Sequence, residues 1–74
     1  MIMTKRYTER DKEVLLYILK YQHENGYSPS VRDISKGCYM SASTAQRHLY
    51  KLVELGYLTI TPKTPRSIVV KVEI

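Results

Sequence analysis

Ser43, Arg47 and Tyr50 recur at four- and three-residue spacing, so on a helix they share one face, with Gln46 flanking it. Their chemistry is hydrogen bonding. A guanidinium fork fits the O6 and N7 acceptors of guanine, and a glutamine amide fits N6 and N7 of adenine. Ser43 can reach a base or a phosphate, while Thr44 and Lys51 suit phosphates. Tyr50 is the contact candidate among seven tyrosines, which in a chain without Trp or Phe otherwise supply packing. No acid lies between Asp33 and Glu54, so the stretch can approach a polyanion without repulsion. The bland alternative is an ordinary solvated helix face. It loses weight because a short helix and turn precede this face and a basic hairpin follows it.

The elements that position these residues are marked by caps and periodicity. Thr8 with Asp11 is a capping-box pair, and Val14, Leu15, Ile18, Leu19 and Gln22 follow one helix face until Asn25-Gly26 stops it. Tyr27-Ser28-Pro29 must be extended. Ser30 with Asp33 repeats the capping box for a short helix through Val31 and Ile34, with Gly37 as its stop. Cys38-Tyr39-Met40 is a tight connection, Ser41 caps a third helix, and Gly56 breaks it. Beyond Gly56 the apolar period becomes two, in Leu58 and Ile60 and again in Ile68, Val70, Val72 and Ile74. The proline-rich Pro62–Arg66 stretch between them predicts a basic hairpin tip. The expected architecture is α+β, mainly α: a three-helix winged helix-turn-helix with a C-terminal β-hairpin wing, forming one domain over residues 1–74. Helices are expected at about 8–25, 30–37 and 41–55 and the hairpin at about 57–73.

Charge and composition narrow the function classes. The net charge of +5 and pI near 9.5 favour an acidic partner. That charge is uneven: residues 1–33 hold six basic and five acidic side chains, residues 34–74 six and two. A lone cysteine, Cys38, excludes an internal disulfide and fits a reducing compartment; a buried thiol is the simpler reading than a redox sensor, since no cations surround it in sequence. His23 and His48 have no metal-ligand spacing, and His48 is expected to pack at the core edge. No leader or spanning segment is read, so the chain is expected to be soluble and cytoplasmic. No catalytic, cofactor or small-molecule constellation is present, so an enzyme is not expected. Lys63 and Arg66 at the hairpin tip are read as phosphate contacts; Ser28 and Ser30 are a turn residue and a cap first and phosphate contacts second.

Gly26-Tyr27-Ser28-Pro29-Ser30-Val31-Arg32-Asp33-Ile34, Ser43-Thr44 with His48-Leu49, Leu52–Leu58 and Pro65-Arg66-Ser67-Ile68 resemble the N-terminal DNA-binding domain of LexA-type repressors. The resemblance spans about residues 8–72. It implies a winged helix-turn-helix whose third helix enters the major groove of double-stranded DNA. It places Ser41, Ser43, Gln46 and Arg47 at DNA contacts and the wing over the backbone or minor groove. Two departures stand out. The turn at Tyr39-Met40 is one residue shorter than the family's, and Arg47 stands where the family often has a small or acidic residue, which implies a different preferred base sequence. The self-cleaving domain of such repressors is expected to be missing: the chain has no Ala-Gly dipeptide and no serine with a lysine base in an active-site setting. The reading is therefore a sequence-specific transcriptional regulator, of repressor type and from a bacterium or mobile element, with a protein-interaction module as the alternative. A single module has a small interface, about 600–1,000 Å². Two copies on a symmetric operator would add to it, and the C-terminal strand through Val72 and Ile74 is the candidate edge for a weak homodimer.

Overall fold

The computed structural model describes residues 7–64 and 66–71, and the order of elements is α1 (Glu9–Asn25), α2 (Val31–Gly37), α3 (Ala42–Glu54), β1 (Leu58–Thr59) and β2 (Val69–Val70). It is mainly helical, with an antiparallel two-strand hairpin after the third helix, as a winged helix-turn-helix requires. Each helix begins one residue after the serine or threonine that caps it. The Thr8–Asp11 and Ser30–Asp33 capping boxes are both closed in both directions. Such caps satisfy amides that have no intrahelical partner and stabilise a helix by about 1 kcal/mol each.

Two helix ends explain the tightness of the connections. After α3, the Tyr57 amide donates to Leu52 O at 2.9 Å and the Gly56 amide to Val53 O at 3.0 Å, with Gly56 at φ 85°. This is the left-handed closure that glycine enters without steric cost. After α2 the same closure recurs with a tyrosine in the left-handed place: Tyr39 has φ 57°, and the Met40 amide donates to Ser35 O at 3.0 Å. The Ser35 hydroxyl donates to Met40 O at 2.6 Å, and Arg10 of α1 donates to Cys38 O at 2.6 Å, so the turn is braced from both sides. Gly37 has a separate role. A Cβ there would collide with the Tyr17 ring, so glycine is what lets α2 end against α1.

The core lies where the three helices and the hairpin meet. Val14, Leu15 and Ile18 come from α1, Ile34 from α2, Ala45, Leu49 and Leu52 from α3, and Leu58 and Ile68 from the hairpin. Cys38 is buried beside them, and burial pushes its thiol pKa up, which suits packing rather than redox chemistry.

The hairpin differs from a continuous period-two ladder. Among the described residues Leu58↔Val70 and Thr59↔Val69 pair in register, and the Lys71 amide adds a bond to Tyr57 O at 2.8 Å. Beyond Thr59 the ladder is replaced by one side chain: the Ser67 hydroxyl accepts from the Thr61 amide and donates to Thr61 O, both at 3.0 Å. Pro62 has no amide to donate, and Lys63 and Arg66 adopt positive φ, so the chain leaves the strand conformation there. Gln22 of α1 donates to Ile68 O at 3.0 Å and ties the returning strand to the helices. Pro65 and the candidate dimerisation edge at Val72 and Ile74 lie outside the described residues.

Candidate nucleic-acid interface

α3 has a buried side and an open side, and separate residues serve each. Ala45, Leu49 and Leu52 face the core, whereas Ser43, Gln46, Arg47 and Tyr50 are exposed along the opposite stripe. Its first turn carries no acid, so the positive end of the helix dipole is not offset there. Three hydroxyls gather at that end. Ser41 Oγ accepts from the Thr44 amide at 3.2 Å, donates to Thr44 Oγ1 at 2.9 Å and lies 3.4 Å from Ser43 Oγ. Further along, Gln46 Nε2 donates to Tyr50 Oη at 3.2 Å, which orients the amide on the exposed stripe.

The angular setting of α3 is fixed from behind by a carboxylate on α1. Asp11 is fully buried, with Lys51 Nζ 2.7 Å from Oδ2 and His48 Nδ1 2.6 Å from Oδ1. Thr8 contributes its amide at 2.8 Å and its hydroxyl at 2.9 Å. Burial alone would raise the Asp11 pKa. Hydrogen bonds from Lys51, the Thr8 amide, His48 and the Thr8 hydroxyl outweigh it and hold the carboxyl well below the usual carboxylate range. An ionised carboxylate only accepts, so the His48 ring nitrogen is the donor in that contact. Asp11 is the positioning residue that sequence reasoning missed. Its capping-box role was visible, but no spacing rule joins residue 11 to residues 48 and 51.

Ser28 and Lys51, expected at phosphates, are turned to partners within the fold. Lys51 lies at the angular position expected, but its ammonium turns inward to Asp11, and its side chain is only 22% exposed. Ser28 is buried; its hydroxyl is enclosed without a hydrogen-bond partner and its carbonyl accepts from Arg66 at 3.1 Å. Ser30 is half-buried and occupied as a cap: its hydroxyl accepts from the Asp33 amide at 3.1 Å and its amide donates to Asp33 Oδ2 at 3.0 Å. The bond from the Ser30 amide to the Asp33 carboxyl is the largest influence holding that pKa low, against burial and with help from the Ser30 side chain and the Arg66 charge. Lys63 is exposed on the wing. Arg66 is partly exposed and turned back toward the helices. Between α3 and the wing runs an open cleft of about 620 Å³, walled by Gln46, Leu49, Tyr50 and Val53 on one side and Ile60, Pro62 and Lys63 on the other. Among the described residues no group of three His, Cys, Asp or Glu side chains could hold a metal ion, and no helix is long and apolar enough to cross a membrane.

A family model described as the LexA DNA binding domain matches residues 4–67. The chain belongs to that family. Its relatives include the LexA repressor of Thermosipho melanesiensis, 44% identical over 64 residues, which are 86% of this chain and 32% of that protein. The LexA repressors of Ruminiclostridium cellulolyticum and Thermosipho africanus are 42% and 45% identical over 67 and 64 residues. Those matches cover 89% and 86% of this chain but 31% and 32% of the relatives, so the chain spans about a third of the length of the LexA repressors it matches. The capped α3 with its exposed stripe lies wholly inside the matched LexA region.

Proposed function

We propose that this chain binds double-stranded DNA sequence-specifically and acts as a transcriptional regulator of repressor type. The observation that carries the reading is the exposed stripe of α3 from Ser43 to Tyr50, which holds no acid and is held in one orientation by the core and by Asp11. In this reading α3 enters the major groove. Arg47 and Gln46 read base edges, with Ser43 and Tyr50 beside them. The Ser41 and Thr44 hydroxyls and Lys63 hold phosphates, and Ser30 at the start of α2 faces the same backbone as a secondary contact. On a symmetric operator two copies each occupy one half-site. No catalytic step is part of the proposal, and the setting is the bacterial cytoplasm. Membership of the LexA DNA-binding family supports this reading over a protein-docking role for the same face.

Random-oligonucleotide selection with the purified chain, followed by mobility shifts across salt, tests it. One sequence class should emerge, and log affinity should fall linearly with log salt as counterions are released. No shift of any duplex at about 50 mM salt would overturn the proposal.

A further inference from the structure

Arg66 sits in the wing but spends its guanidinium on the helices. Its Nη1 donates to Tyr21 Oη at 3.2 Å and to Ser28 O at 3.1 Å, and lies 3.0 Å from Asp33 Oδ2. The guanidinium carbon is 5.0 Å from the centroid of the Tyr27 ring. These partners come from the C-terminal half of α1, the α1–α2 connection and α2, so one side chain gathers three segments. The wing needs such a tie. Among the described residues its ladder has two residue pairs, its outer loop is closed by the Ser67 hydroxyl, and Arg66 itself stands at φ 55°, turning the chain back toward the helices.

We propose that Arg66 is the positioning residue of the wing, a latch that fixes the hairpin tip against α1 and α2 and so sets where Lys63 stands relative to the α3 face. It does this in place of contacting DNA itself. The inference deepens the DNA-binding reading and rests on it for its functional consequence. An exposed ion pair alone is worth little. Here reach and shape matter more than the charge: the long side chain brings one nitrogen to all three acceptors while the flat guanidinium lies over the Tyr27 ring, and a lysine ammonium on a shorter stem does not reproduce both.

The test compares Arg66→Lys, Arg66→Gln and Asp33→Asn in the full chain. The probe is the duplex that selection returns for the wild-type protein. The latch predicts that Arg66→Lys binds as poorly as Arg66→Gln, about five- to tenfold below wild type, despite its retained charge. It also predicts that Asp33→Asn weakens binding although it removes a negative charge, where electrostatics alone would tighten it. Wild-type affinity for Arg66→Lys together with tighter binding by Asp33→Asn would overturn the latch and make Arg66 a phosphate contact. Amide exchange in the free protein gives an arm independent of DNA. In Arg66→Lys the Thr61 amide should exchange faster while that of Leu15, in the core of α1, does not change. An unchanged Thr61 amide sinks the latch. If the wild-type chain shifts no duplex, the DNA-binding reading fails, and the exchange result alone decides whether the latch exists.

Discussion

Arg47 and Lys63 carry the same charge and are expected to fail in different ways. Arg47→Ala should relax preference at one base pair and cost about 1–3 kcal/mol on the selected site, with little effect on random DNA. Lys63→Ala should weaken every sequence alike and lower the salt slope by about one unit. Competition mobility shifts across salt separate the two, and equal losses on selected and random DNA for Arg47→Ala would remove its base-reading role. Tyr39 makes a different prediction. The residue is 91% exposed while its backbone holds φ 57°, so the side chain contributes little packing and the conformation is strained. Tyr39→Gly should raise stability by about 0.5–1 kcal/mol, read from denaturant midpoints with an unchanged slope. At this scale the sequence was partly legible. Arg47 and Lys51 look alike in a helical projection, and what separates them is a carboxylate forty residues away in the chain. A long, flexible side chain follows its partner, not its angular position.

The joint between α1 and α3 depends on Asp11. Its folded pKa lies below its unfolded value, near 3.9, so the stability it contributes is present above that value and is lost as pH falls toward the folded pKa. Wild-type stability should therefore decline below about pH 4.5, and Asp11→Asn should flatten part of that decline. At neutral pH the same substitution leaves the Lys51 ammonium without its counter-charge in a mostly enclosed site and should cost about 2–4 kcal/mol. Urea titrations of both proteins across this pH range check the sign and the size; a pH profile identical to wild type would show that Asp11 does not carry the acid sensitivity. The helices themselves were legible because their starts are chemical: a hydroxyl followed three residues later by an acid, or Ser41 alone, marks each to within a residue. The hairpin was less so. Alternating apolar residues read as two strands, but Pro62 and the left-handed Lys63 and Arg66 end the ladder on the tip side of Thr59 and Val69.

For the molecule as a whole, size constrains how it can be used. The chain measures 42 × 26 × 24 Å. Half-sites one helical turn apart are about 34 Å from centre to centre, so copies lying with a short axis along the duplex would bind side by side with little mutual contact. A duplex carrying two such half-sites should therefore take up two chains with near-independent affinities, read by titration calorimetry or stepwise mobility shifts. A single cooperative transition would instead point to a dimer interface. The overall layout of three helices and a wing was legible from order and spacing. The division of labour around α3 was not, because it depends on which long side chains turn inward.

That division has a consequence for how this domain can change its target. The residues that anchor α3 and the residues that face outward from it are different residues on one helix. The outward set, Ser43, Gln46, Arg47 and Tyr50, can therefore be exchanged as a group while the anchoring set keeps the helix in place. Substitutions confined to exposed positions usually alter stability by no more than about 0.5 kcal/mol. A library randomised at those four positions should stay almost entirely folded, and binding selections from it should yield new operator preferences on an unaltered scaffold.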